Sequence, residues 1–416
     1  MVRYGALPAM ILEPVDRNAH FRERRRRARR NRQLRRAVAG ALVLGLAGAA
    51  AFMARTTGGG DATVEKVAAT RPVQPATTSR PAPARQSAPA VLGPRRPPLE
   101  LRGVHVTMAL ASIPGKLDEY LSLRGLNAIE LDVKDENSEV GFTPSAVPLA
   151  REIGAAQTYY KPRQVVRKLV DRGVYLIGRI VVFEDPILSE QRPELAIKRP
   201  DGSVWRNHAG LGWTNPYDRR VWDYNVDLAV AAARAGFDEI QFDYVRFPSD
   251  GDISAIVYDG KTATEPGWVI AQFAQYASRR LKPLGVRVSA DVFGLSATRD
   301  LGIGQVPRRL SRYLDAIYPM VYPSHYGPGE FNLPDPNGAP RETVAASLKD
   351  FRRELRGRRS VIIPWLQDFS YGRTYTLAEV QAQIDAASAA NTGGFLLWNA
   401  AGLYSDGALT YRSPEG

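Results

Sequence analysis

From Leu99 to its end the chain repeats one pattern eight times, and this repeat restricts its possible folds more than any other feature. Short apolar, β-branched runs occur at 103–108 (GVHVTM), 128–133 (AIELDV), 174–182 (VYLIGRIVV), 239–245 (EIQFDYV), 286–293 (VRVSADVF), 316–321 (AIYPMV), 361–366 (VIIPWL) and 394–398 (GFLLW). Between them lie helix-like stretches at 162–172, 221–235, 268–284, 306–314, 341–355 and 377–391, several closed by glycine, a common residue where helices end. Strands alternating with helices at this spacing predict a parallel sheet. Eight such units within residues 99–416 predict a closed (β/α)8 TIM barrel, which takes about 250 residues before insertions. An open doubly wound sheet fits less well, because no glycine-rich phosphate loop follows the first strand.

In a barrel of this kind function sits where strands end and βα loops begin, so polar residues late in each strand carry the information. The richest stretch is GFDEIQFDYVRFPSDG (236–251). A period of two puts Glu239, Gln241 and Asp243 on the lumen face and Ile240 and Phe242 on the helix face. A file of lumen-facing polar groups is costly unless the last reaches the open mouth, and Asp243 is that residue. The fifth strand repeats the pattern in SADVFG, with Ser289 and Asp291 on one face. Two rim carboxylates on adjacent strands, about 4.8 Å apart, suit glycosidic chemistry, in which pairs lie about 5–5.5 Å apart for retention and about 6.5–9.5 Å for inversion. Asp243 is the candidate nucleophile and Asp291 the candidate acid/base. The alternative for either is a structural pairing with Arg179 or Arg246.

Other strand ends fill out a mouth suited to a sugar. The second strand places Asp132 and Lys134 on the face of Glu130, and the third carries Arg179 and runs into Glu184 and Asp185. Any of these carboxylates could replace Asp291 as the acid, or could instead satisfy Lys134 and Arg179 in a buried ion network. Tyr318, Tyr322 and His325 follow on the sixth strand, Trp365, Gln367 and Asp368 on the seventh, Trp398 and Asn399 on the eighth. Aromatic faces at a cleft suit stacking on a pyranose. Arg179, Arg246, Trp213, His325, Trp365 and Trp398 are binding candidates, together with Asp132, Lys134 and Tyr322.

The segment ahead of the repeat points to a compartment. Residues 22–36 (RERRRRARRNRQLRR) place ten arginines before an uncharged run of 18 residues, AVAGALVLGLAGAAAFMA at 37–54. That length suffices to span hydrocarbon as a helix, and the arginines stay cytoplasmic by the positive-inside rule. The expected order is a cytoplasmic tail (1–36), a signal anchor (37–54), a disordered Pro/Ala/Thr/Ser-rich linker (55–98) and an extracytoplasmic barrel (99–416). Cleavage at the small residues 47–50, which would release the barrel, is the alternative. The net charge of +13 resides in the first 98 residues; from 99 onward 37 basic residues face 38 acidic ones. A neutral folded part argues against nucleic acid as a partner.

Several chemistries are excluded by what is missing. The chain has no cysteine, hence no thiolate site, and its four histidines show no HExxH spacing, so neither a zinc site nor a cofactor is expected, while an Asp/Glu-bound Ca2+ or Mg2+ stays open. There is no GxSxG elbow and no Walker sequence,. No heptad stands out, which leaves the oligomeric state open.

The ordered series NAIELDVKDE, GRIVVFEDP, WTNPYDRRVWDYN, GFDEIQFDYVRFPSDG, SADVFG, YPMVYPSHYGPGEF, PWLQDF and GFLLWNA resembles a bacterial family described as a putative glycosyl hydrolase domain. The likeness spans nearly all of 99–405, with FDYVRFP its most specific part. The family is similar to TIM-barrel glycosidases of the alpha-amylase-like clan, whose aspartate ending strand four is usually the nucleophile; this implies that role for Asp243. The clan commonly has a glutamate acid on strand five, where this chain has Asp291. The resemblance implies a polysaccharide substrate. A catalytically silent glycan-binding barrel is the reading from another class, and a metal-dependent carbohydrate deacetylase or amidase a third.

Overall fold

A computed structural model describes residues 94–414. The expected tail, the anchor at 37–54 and the linker as far as 93 lie outside the described residues. Among the described residues no helix is long and apolar enough to cross a membrane.

Eight parallel strands close into one barrel. They are β1 (Leu101–Val106), β2 (Ala128–Lys134), β3 (Tyr175–Val181), β4 (Glu239–Asp243), β5 (Arg287–Phe293), β6 (Ala316–Met320), β7 (two pairings, Val361–Ile362 and Trp365–Gln367) and β8 (Gly394–Trp398). Each pairs with its sequence neighbour, and β1 pairs with β8 to complete the ring. The break in β7 falls at Pro364, whose ring leaves no N–H for the ladder; its carbonyl still accepts from Leu396 N–H at 3.0 Å.

Crossover helices wrap the outside: α1 (Lys116–Leu121), α2 (Pro162–Asp171), α3 (Arg219–Ala235), α4 (Pro266–Leu281), α5 (Pro307–Leu310), α6 (Pro340–Glu354) and α7 (Leu377–Ala389). Local chemistry sets their ends. Proline opens the first turn of α2, α4, α5 and α6, where its missing N–H costs nothing. Gly236, at φ 108°, closes α3, and Thr376 with Glu379 forms a capping box on α7. In place of an eighth helix the tail after β8 folds back, burying Leu409 and giving the carbonyls of Leu409 and Tyr411 to Arg102 on β1.

The alternation of each strand divides the core in two. Val104, Ile129, Leu131, Leu176, Ile240, Phe242, Val288, Ile317 and Leu397 pack outward against the helices. A smaller cluster containing Ala128, Tyr175, Ile177, Tyr318, Ile363, Trp365 and Leu396 fills the lumen. The barrel is therefore plugged below and can open only above.

At the lower end Asp238, 1% exposed, begins the turn into β4 and accepts from Leu176 N–H at 2.8 Å. Its counter-ion comes from ahead of the first strand: Arg95 donates from its backbone N–H at 2.7 Å and from Nη2 at 2.6 Å, and bonds the Val174 carbonyl as well. Residues 94–98, read from sequence as the end of a linker, thus include a contact to the barrel floor. Arg95→Ala strands a buried carboxylate and should lower stability by about 2 kcal/mol. Urea unfolding of the two chains measures it, and a loss below about 0.5 kcal/mol would show that the contact carries no weight.

Candidate functional site

Polar side chains share the lumen with the apolar cluster and rise in tiers toward the mouth. Lowest is Glu239, fully buried, which accepts from Tyr175 Oη at 2.9 Å and faces Arg287 at 3.6 Å. Next comes Asp291, 2% exposed. Its Oδ1 accepts from Gln241 Nε2 at 2.5 Å and from Trp365 Nε1 at 2.7 Å. Burial, then the nearby charges of Asp243 and Glu130, push this carboxyl well above the ordinary range, against the opposing pull of Arg179 and the Trp365 bond, so the protonated form is favoured.

The upper tier is organised by Arg179. Its Nε and Nη2 donate to Asp243 Oδ2 at 3.0 and 2.8 Å, and its Nη1 donates to Asp132 Oδ1 at 2.7 Å. Glu136, 30% exposed in its side chain, approaches the same nitrogen at 3.3 Å. The second oxygen of Asp243 accepts from Tyr244 N–H at 2.6 Å. Tyr244 has φ 48°, a left-handed conformation costly for a residue with a side chain, and this turn ends β4 directly after Asp243. The register that pairs Phe242 with Ala290 brings Asp243 beside Asp291 at its next step.

His105 and Glu130, from β1 and β2, complete this tier. His105 Nδ1 meets Glu130 Oε2, and its Nε2 stands 3.7 Å from Asp132. Burial alone would lower the imidazole, but the charges of Asp132 and Glu130 prevail and raise it. Trp398 covers the group, its ring centroid 4.4 Å from that of His105 and 5.6 Å from the Arg179 guanidinium carbon. His105 was not singled out from the sequence, although the alternation Val104, His105, Val106 was a signal that it faces inward.

The candidates do not all converge. Asp132, Arg179, Asp243, Asp291 and Trp398 meet in the mouth. Tyr322 stands near them, its phenol raised by burial and then by the charges of Asp291 and Asp243, whereas His325, packed on Tyr322, is exposed beside Phe369 and Tyr371 at one side. Lys134 does not share the face of Asp132. A bulge between them pairs Asp132 with Arg179 but Lys134 with Ile180, which reverses the alternation. Lys134 therefore points outward, fully buried, donating to Asp185 Oδ2 at 2.6 Å and Asn225 Oδ1 at 2.7 Å. Trp213, 1% exposed, and Trp365, 2% exposed, offer no open ring face; Trp213 lies under Arg246, and Trp365 acts through its N–H.

The remaining carboxylates have structural partners. Asp185 caps the helix Pro186–Gln191 and pairs with Lys134, Glu184 is buried and accepts from Asn207, and Asp368 accepts from the backbone N–H and hydroxyl of Ser405. Beyond β2, burial and the charges of Glu136 and Asp132 push Asp135 up to about 8.

A model of the family described as "Putative glycosyl hydrolase domain" matches residues 103–404. No curated protein matches the sequence. A hypothetical protein from Ruminiclostridium thermocellum is 36% identical over 45% of this chain and 97% of its own, with a TM-score of 0.40. The PgaB (BpsB) glycoside hydrolase domain from Bordetella bronchiseptica is 15% identical over 72% of this chain and 94% of its own, with a TM-score of 0.52, a likeness of fold.

The raised Asp291 has a measurable signature. Folding raises its pKa above the unfolded value, so between the two values folding takes up a proton and stability falls as pH rises. Asp291→Asn keeps the neutral form and an Oδ1 acceptor at every pH. Wild type should therefore lose stability relative to the variant above about pH 4, by up to about 1.4 kcal/mol per unit. Urea unfolding at pH 5 and pH 8 tests this; a constant gap would contradict a proton held on Asp291.

Proposed function

We propose, from the premise that this chain belongs to the family described as "Putative glycosyl hydrolase domain", that its barrel hydrolyses O-glycosidic bonds of an extracellular or cell-wall polysaccharide with retention. The observation that carries this reading is a pair of carboxyls on neighbouring strands in opposed surroundings: Asp243 bound to the Arg179 guanidinium, Asp291 buried and raised. The acid role requires a carboxyl that keeps its proton, as burial favours for Asp291, and the nucleophile role one held in position, as Arg179 holds Asp243,.

In the proposed first step the Asp291 carboxyl protonates the glycosidic oxygen while Asp243 attacks the anomeric carbon. The C–O bond breaks, the alcohol leaves and a glycosyl ester forms on Asp243. Asp291, now a carboxylate, takes a proton from water as that water attacks the same carbon, which releases the sugar and restores both groups. Arg179 and the Tyr244 N–H hold the Asp243 carboxylate in place. Trp398 supplies a half-buried ring for a sugar face, and the Tyr322–His325 pair a second aromatic surface. In this reading residues 37–54 anchor the chain with the barrel outside the cytoplasm.

Reducing-end release by the full-length chain from a panel of wall, capsule and biofilm polysaccharides tests the proposal. Asp243→Asn should lower release at least about 100-fold. Asp291→Asn should do likewise, and wild-type activity should decline as pH rises far enough to ionise Asp291. Undiminished release by Asp243→Asn would remove it as nucleophile. Binding of a glycan without product would favour the silent, glycan-tethering barrel.

A further inference from the structure

Arg246 is a buried cation that the proposed chemistry does not use. It is 5% exposed and lies three residues beyond Asp243, in the loop that follows β4. Its guanidinium carbon stands 4.9 Å from the ring centroid of Trp213, 5.0 Å from that of Tyr244 and 4.8 Å from that of Phe293. Tyr244 follows Asp243 directly, and Phe293 comes two residues after Asp291, so the cation lies at the ends of the two strands that carry the carboxyl pair. The three rings attract it through their faces but offer no acceptor in its plane.

The hydrogen bonds of Arg246 are few and one-sided. Nη1 donates to the Phe247 carbonyl at 3.0 Å and to Ser249 Oγ at 3.1 Å. That leaves the edge formed by Nε and Nη2, the pair of parallel donors that grips the two oxygens of a carboxylate. The other buried cations are matched by acids: Arg179 by Asp132 and Asp243, Lys134 by Asp185, Arg102 by Glu100. Arg246 alone of these four has no carboxylate partner among the described residues. A desolvated charge left without a counter-ion is costly, and the aromatic walls hold the guanidinium plane fixed, which favours a planar anionic guest.

We propose that Arg246 is a subsite for the carboxylate of an acidic sugar, so that the polysaccharide taken by this barrel carries uronic-acid-type units beside the bond to be cleaved. The inference rests on the glycan reading above and narrows it to a substrate class. The rings of Tyr244 and Phe293, both half-buried, border the same anionic group.

Binding decides the matter without requiring turnover. Calorimetry on the full-length chain compares a galacturonic acid trimer with its carboxyl-reduced, neutral counterpart, for wild type, Arg246→Gln and Arg246→Lys. The arginine-rich tail is common to all three chains and cancels in the comparison. Wild type should prefer the acidic trimer at least about 10-fold. Arg246→Gln should abolish that preference, and Arg246→Lys, which keeps a cation among the rings but loses the fork, should retain only part of it. Equal wild-type affinities, a preference that survives in Arg246→Gln, or tighter binding of a sulfated trimer would overturn the assignment. Uronate binding with no hydrolysis would sink the glycosidase reading alone, whereas hydrolysis confined to neutral glycans would sink this one alone.

Discussion

The guanidinium of Arg179 is the interaction around which the mouth of the barrel is arranged. It is one positive charge, almost wholly desolvated, shared by Asp132 from β2 and Asp243 from β4, with Glu136 at its edge. Charges withdrawn from water persist only when matched and hydrogen-bonded, so each of these side chains fixes the others. The same arrangement gives the two carboxyls unequal surroundings. Asp243 has a cation at bonding distance, while Asp291 one strand away receives neutral N–H donors from Gln241 and Trp365 and feels the negative charge of Asp243. Burial without a bonded cation thus sets Asp291 apart from the chemically identical side chain beside it.

The strand period carries that arrangement from the sequence into the fold. The inward file Glu239, Gln241, Asp243 and the neighbouring Ser289, Asp291 were legible because alternation holds along β4 and β5, and the outward Ile240 and Phe242 join the helix-facing core as the pattern demands. The eight strands were legible as short apolar runs set apart by stretches of helical period, although no helix follows the last of them. Alternation failed where the backbone broke it. No residue between Asp132 and Lys134 announces a bulge, because Val133 fits a regular strand equally well, and one extra residue there sends Lys134 to the outside.

Residue type misled in a second way. A tryptophan near a strand end has the same letter whether its ring faces a ligand or a helix, and only packing separates Trp398, which stays half-buried, from Trp213 and Trp365, which do not reach solvent. Arg95 was hidden by composition: it stands in a proline-rich stretch without apolar period, and its role depends on Asp238, 143 positions later. Long-range pairings of this kind leave no local trace in a sequence.

The ring closes between its first and last strands, β1 and β8, and Arg102 on β1 reaches carbonyls more than 300 positions away in the tail. During synthesis β1 has β2 on one side only, so its other edge stays unpaired until β8 has left the ribosome. Unpaired edges recruit strands from other molecules, and contacts so distant in sequence form slowly. The barrel therefore cannot finish folding as it is made. If the chain is threaded across a membrane, closure of the ring belongs to the far side, after β8 has passed.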